Sequence, residues 1–263
     1  MDTLDAWNRL YLSNCLWDRI SDHLPPDALI HKSVPHNFHS ELVRHEVGQR
    51  IIQPFCGAGI ELVALMFNGW KATGLDFSFN AIERCKSECS RRGWECPDMV
   101  LANLNSPWPL RSLYADACWI SLGSLCWVTD IDFFFREVYR VLKPGGALMI
   151  HDIHPISQVI STHNDRKRPT LKTYPETERG TKLVSLKYTG IKLPARVETY
   201  VHSLGSIVSS VVSSGFTVLR LSEYEWTTYP QFPWLVQSVG LKWYPKDDVS
   251  FRPPLSFYLS SKR

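Results

Sequence analysis

A chain of 263 residues with 44% hydrophobic and 21% charged residues is large and apolar enough for one sizeable α/β domain, or a core with a small cap. The formal net charge is only +3. The basic run Arg166-Lys167-Arg168 is flanked by Asp165 and Pro169, so no broad basic stripe marks a nucleic-acid binder. No segment approaches the roughly 18 apolar residues of a membrane span, and the opening Met1-Asp2-Thr3-Leu4-Asp5 argues against a secretory leader.

In chain order, Leu4, Trp7, Leu10, Tyr11 and Trp17 recur at helical spacing until Pro25-Pro26 ends the run, and residues 38–47 predict a second short helix. Strands are then expected near 50–55, 71–76, 98–102, 116–121 and 146–151, with helices near 59–69, 79–92 and 131–142. This alternation implies parallel strands joined by right-handed crossovers. Leu142-Lys143-Pro144-Gly145-Gly146 reads as a helix stop and turn. After Asp152 the rhythm breaks. Residues 153–202 are polar and irregular, with a small antiparallel pair expected at 183–189 and 195–201. A helix at 203–214 and strands at 216–222 and 255–260 complete the sheet. Between the last two strands lie Tyr224, Trp226, Tyr229, Phe232, Trp234, Trp243 and Tyr244. These aromatics suit either a small core of their own or a flat or cationic acceptor. The resulting divisions are an N-terminal helical segment (1–47), an alternating core (48–152), an irregular insertion (153–202), and a C-terminal part of the sheet (203–263) with an aromatic segment at 223–254.

The most informative segment is Ile51-Ile52-Gln53-Pro54-Phe55-Cys56-Gly57-Ala58-Gly59-Ile60-Glu61, followed by Gly74-Leu75-Asp76-Phe77-Ser78. An apolar strand enters a glycine turn and a helix, and a second strand ends in aspartate. In an open parallel sheet this brings Gly57, Gly59 and Asp76 to the carboxyl edge, where ligands bind. Asp76 follows Gly59 by about 17 positions, near the separation at which a carboxylate meets a ribose diol. The third glycine of a dinucleotide fingerprint is missing, no P-loop occurs, and Glu61 puts a negative charge in the first helical turn, where a pyrophosphate would be repelled. A nucleoside cofactor without phosphates fits best.

At these residues the sequence resembles the class I S-adenosylmethionine-dependent methyltransferases, over about residues 48–155 and more weakly to the end. Val100-Leu101-Ala102-Asn103-Leu104 resembles the third-strand motif that holds adenine, and Asp116-Ala117-Cys118-Trp119-Ile120-Ser121-Leu122-Gly123 the fourth-strand motif. Arg136 to Leu148 resembles the family's helix, Lys-Pro-Gly-Gly turn and fifth strand. The resemblance implies a Rossmann-like α/β fold: a seven-stranded, mostly parallel sheet with one antiparallel strand, helices on both faces, N-terminal lid helices and a substrate cap. It implies S-adenosyl-L-methionine as cofactor, leaving as S-adenosyl-L-homocysteine, with Phe55, Gly57, Gly59, Asp76, Phe77, Asn103, Leu104, Ser121, Leu122 and Gly123 as its contacts. Two departures stand out. Gln53 replaces the family's usual acid and Phe55 its usual glycine. Asn103 replaces an aspartate, but its carbonyl oxygen can still accept from the adenine amino group. Leu125-Cys126-Trp127 resembles a segment of small-molecule members that also lack the first acid.

Methyl transfer from a sulfonium needs alignment and exclusion of water more than a fixed catalytic motif. His154, in a His-Pro pair as in similar methyltransferases, and His202, at the mouth of the late helix, are the candidate bases. Each reads also as a capping or packing residue. Tyr11, Trp127, His151 and Trp226 are candidate walls of the acceptor pocket. His151, Asp152 and His154 offer an alternative metal triplet, but no further ligand is evident, so no metal is expected. Seven cysteines, all between Cys15 and Cys126, suggest reduced thiols and a cytoplasmic protein. Cys85, Cys89 and Cys96 read as packing thiols rather than a zinc site.

The expected activity is methyl transfer to a small-molecule acceptor, at nitrogen or oxygen before carbon or sulfur, in a biosynthetic setting. The partner is that acceptor, with no nucleic acid or membrane, and the protein is a monomer or homodimer. The alternatives are a cofactor-binding protein that catalyses another reaction such as cyclisation, and a non-enzymatic binding module. A dehydrogenase is opposed by the missing glycine.

Overall fold

The computed structural model describes residues 4, 5, 8, 11, 49–161, 170–171, 174, 180–185, 196–238 and 242–263. The expected second helix (38–47), Trp7, Trp17 and the run Arg166-Lys167-Arg168 lie outside the described residues.

The alternating half forms β1 (Arg50–Pro54), α1 (Ile60–Phe67), β2 (Lys71–Asp76), α2 (Phe79–Arg92), β3 (Asp98–Leu101), β4 (Ala115–Ile120), α3 (Ile131–Val141) and β5 (Leu142–Ile153). A short α4 (Pro155–Val159) follows, then the antiparallel pairs β6 (Ile160–Ser161) with β7 (Thr170–Leu171) and β8 (Gly180–Ser185) with β9 (Arg196–Val201). α5 (Leu204–Ser213), β10 (Thr217–Tyr224), β11 (Leu235–Gln237), β12 (Trp243–Pro245) and β13 (Ser256–Lys262) complete the chain.

Seven strands form one sheet in the order β10-β13-β5-β4-β1-β2-β3. β1 to β5 pair in parallel, and β13 runs antiparallel to both of its neighbours. The order reverses between β1 and β4, and this switch point is where such sheets bind ligands.

Alternating side chains divide the core between the two faces of the sheet. Ile52, Cys118, Ile120, Leu148 and Ile150 pack with Phe134, Val138, Ile207 and Val211 from α3 and α5. Ile51, Trp119, Met149 and Tyr258 pack with Leu62 and Leu65 of α1 on the other face. Helix starts follow their caps. The Ser78 hydroxyl accepts from Ala81 N–H, and the Asp130 carboxylate accepts from Asp132 and Phe133 N–H.

β5 begins at Leu142 rather than at residue 146. The Lys-Pro-Gly-Gly segment does not interrupt the strand; it forms an irregularity in its pairing with β4. Gly145 takes a left-handed φ of 78° and donates its N–H to the Arg263 carbonyl. That tether to the last residue of the chain is invisible to local propensity. The aromatic segment builds a satellite core: Phe232 stacks on Trp234 at 4.6 Å, packed with Leu235, Val249 and Leu255. No described helix is long and apolar enough to cross a membrane.

Candidate active site

The site begins where β1 runs out. Gly57 (φ 55°) and Gly59 (φ 72°) lie in the left-handed region, which glycine enters without steric cost. A Cβ at position 57 would also sit 2.5 Å from the Tyr11 hydroxyl oxygen, so the tip of that side chain would have to move aside. Phe55 is left-handed as well (φ 55°), a conformation that costs a bulky residue roughly 1–2 kcal/mol. Its ring is held at 6.0 Å from Phe134 and 6.3 Å from Phe77. Thus the backbone at position 55 keeps a glycine-like shape while an aromatic side chain occupies the wall beside Asp76.

Asp76 ends β2 and ties the turn together. Its carboxylate accepts from Gly57 N–H at 2.8 Å and from Ser78 N–H at 2.9 Å. Burial pushes its pKa up to about 6, against the lowering effect of these amides. Helical residues from the N-terminal segment lie over this point. Ser78 Oγ donates to Asn8 Oδ1 at 2.7 Å, Asn80 Nδ2 donates to the Asn8 carbonyl at 2.9 Å, and Tyr11 packs on Ala58 and Ile60.

Gln53 is 1% exposed and faces Glu61. Its Nε2 donates to the Glu61 carboxylate at 2.5 Å and to Ser121 Oγ at 3.0 Å, and Trp119 Nε1 donates to the same carboxylate at 3.2 Å. Burial raises the Glu61 pKa, opposed by these donors. Gln53 Oε1 is buried without a hydrogen-bond partner among the described residues. The site therefore offers a desolvated carbonyl oxygen and a carboxylate side by side, an arrangement that suits a cationic amine.

Asn103 and the fourth-strand turn form the adjoining wall. Asn103 Oδ1 accepts from Asn105 N–H at 3.0 Å, and Asn105 in turn reaches the Trp127 carbonyl and Thr129 N–H. Leu104 is buried in the core, whereas Ser121, Leu122 and Gly123 stand half-buried at the end of β4. Asp152 fixes this turn. Its carboxylate accepts from Gly123 N–H, from Leu125 N–H at 2.8 Å and from Ile153 N–H at 2.6 Å. Burial lifts its pKa to about 6 despite those amides. The only sequence signal for this clamp was an acid at the end of the fifth strand.

The metal triplet does not assemble. Successive residues of β5 point to opposite faces, and Asp152 turns to the β4 turn while His151 lies 5.4 Å from the Trp226 ring. Ile120 pairs with Ile150, which sets His151 at the level of Ser121 on the carboxyl edge. Burial, and then Lys242, depress the His151 pKa to about 3, so the ring is neutral; its Nε2 has no partner among the described residues. His154 caps α4, its Nδ1 accepting from Ile156 N–H at 3.1 Å while Nε2–H meets Glu223 at 2.7 Å. Both nitrogens are thus committed, which opposes the expected role as a base. His202 is buried beside the Leu125–Trp127 turn, with Nε2 2.7 Å from the Val128 carbonyl. Nε2 is therefore the donor to that carbonyl. Trp226 is buried against Tyr224 and His151, with Lys242 4.4 Å over its ring.

Residues 55–150 match the family model described as a methyltransferase domain. A fatty-acid O-methyltransferase of Mycolicibacterium smegmatis is 30% identical over 121 residues, 45% of this chain and 42% of that protein. A ubiquinone/menaquinone biosynthesis C-methyltransferase of a Caulobacter species is 45% identical over 58 residues, 22% of this chain and 23% of its own. The aligned stretches span less than half of either relative. Among solved structures, an S-adenosylmethionine-dependent methyltransferase of Mesorhizobium loti superposes with a TM-score of 0.64 at 19% identity, covering 86% of this chain and 96% of that one. One from Methanosarcina mazei gives 0.58 at 18%, covering 88% and 98%.

The sheet order, the glycine turn at the switch point and Asp76 at the end of the neighbouring β2 define an α/β domain whose carboxyl edge suits a nucleoside cofactor. Residues 55–150 resemble a methyltransferase domain, and S-adenosyl-L-methionine is the cofactor that this likeness implies. The residues present fit it: the orphaned Gln53 Oε1 beside Glu61 suits the amino group of its methionine part.

Proposed function

We propose that the chain transfers a methyl group from S-adenosyl-L-methionine to an oxygen or nitrogen of a small-molecule acceptor. This reading is supported by the Asp76–Gly57 clamp at the ends of β1 and β2, the Gln53 oxygen left unpartnered among the described residues, and His202 held by Val128 in the segment after β4.

Asp76 is the residue to receive the ribose hydroxyls, Asn103 the adenine amino group, and Gln53 with Glu61 the ammonium of the amino-acid part. Phe55 and Phe77 supply an apolar wall beside Asp76. When bound, the cofactor supplies a methyl group already activated by a sulfonium. What the chain must add is alignment of the acceptor and removal of its proton. His202, its ring anchored on the Val128 carbonyl, is the residue assigned to take that proton from a hydroxyl or amine. His151, neutral and with an uncommitted Nε2 among the described residues, is suited to orient a polar group of the acceptor.

The test is an incubation with methyl-labelled cofactor and a panel of fatty acids, phenols and amines. Fatty acids enter because of the Mycolicibacterium relative's stated substrate class. Label should appear in product in equal amount to S-adenosyl-L-homocysteine. Product formed with no S-adenosyl-L-homocysteine would instead favour an enzyme that leaves the methyl group unused.

A further inference from the structure

Three thiols stand together behind the cofactor turn, outside the site described above. Cys85 and Cys89 lie one turn apart on α2, and Cys96 precedes β3. Their sulfurs all lie within 4.8 Å of one another. Cys85 and Cys89 are fully buried, and Cys96 is half-buried at the side of the cluster. One further soft atom borders it: a Cβ at Gly59 would lie 2.6 Å from Cys85 Sγ and 3.5 Å from the Met99 Sδ thioether. No histidine or carboxylate joins the group among the described residues.

We infer that Cys85, Cys89 and Cys96 form a three-thiolate site for a soft monovalent cation of the copper(I) type, seated beneath the Gly59 turn. Soft thiolate and thioether donors select such ions, whereas structural zinc almost always takes a fourth ligand. Metal–sulfur bonds of about 2.3 Å set sulfurs roughly 4 Å apart in a three-coordinate site, so the observed triangle needs only a small contraction. Binding replaces three S–H protons by three metal–sulfur bonds, with no change of oxidation state. The protons leave to solvent, so affinity should rise with pH.

The experiment is anaerobic titration of the reduced, full-length protein with copper(I) against a chromophoric copper(I) chelator. The parent should take up one equivalent with a thiolate-to-metal absorption band. Cys96→Ser, altered at the most accessible ligand, should lose at least about a hundredfold in affinity, since even outer-shell partners of metal ligands are worth about 10- to 100-fold. Its metal-free form should bind S-adenosyl-L-homocysteine as the parent does, which confirms that the turn is intact. Equal copper(I) affinity in parent and variant would overturn the site. Retention of zinc(II) in preference to copper(I) would overturn the choice of ion.

Discussion

The Glu61 carboxylate lies 2.5 Å from Gln53 Nε2, so a carboxylate from the first turn of α1 stands beside the position where the family usually carries its acid on β1. Glu61→Gln should therefore weaken S-adenosyl-L-homocysteine binding by about 1.5–3 kcal/mol, the scale of a hydrogen bond to a charged group. Binding of 5′-methylthioadenosine, which lacks the amino-acid part, should be unchanged. Calorimetry showing equal losses for both ligands would assign Glu61 a purely structural role.

Restoring the family's acid should do harm. Gln53→Glu would set two buried carboxylates against one another, and one must then hold a proton. The expected result is a lower melting temperature at pH 8 than in the parent, with the gap narrowing toward pH 5. A stabilised variant at pH 8 would show that the Gln53–Glu61 pair is not as close in solution.

Asp76 gives stability and affinity opposite pH dependences. Its folded pKa of about 6 lies above the ordinary 3.8. Folding therefore binds a proton between those values, and the stabilisation is present below about pH 4 and lost as pH rises through 6. A shift of about two units corresponds to roughly 3 kcal/mol. Asp152, also lifted to about 6, acts in the same direction. Accepting hydrogen bonds from both ribose hydroxyls, in contrast, calls for the ionised form. Cofactor affinity should fall up to about tenfold per unit below pH 6. A flat affinity between pH 5 and 7.5 would contradict this pKa.

For the acceptor side, His202→Ala should reduce turnover on the order of 10²-fold if the imidazole takes the acceptor's proton, with cofactor affinity within about threefold. A loss confined to the Michaelis constant would make it a lining residue. Trp226 now carries a different expectation. It is buried against His151 and Tyr224, so Trp226→Ala should cost about 3–5 kcal/mol of stability. Thermal unfolding checks this directly.

What was legible in the sequence was local. Strand, glycine turn, helix and a second strand ending in Asp76 are adjacent in the chain, so this part of the sheet's carboxyl edge could be read from spacing. The small antiparallel pair and the late helix were legible for the same reason. Contacts that join distant segments were not. Gly145 finds its acceptor at Arg263, Asp152 holds amides of the β4 turn, and Glu223 occupies His154. Glu61 read as a charge repelling phosphate; only the fold turns it onto Gln53 and Trp119. The cysteines gave spacing along α2 but not the approach of Cys96, which depends on how β3 returns to the sheet.

The most direct test of the cofactor site is calorimetric titration of the parent and Asp76→Ala with S-adenosyl-L-methionine, using NADH as a control. The parent should bind one equivalent, the variant about 10- to 150-fold more weakly, as expected for losing a charged hydrogen-bond acceptor, and neither should bind NADH appreciably. Equal affinity in parent and variant, or micromolar binding of NADH, would contradict the assignment of Asp76 to the ribose of S-adenosylmethionine.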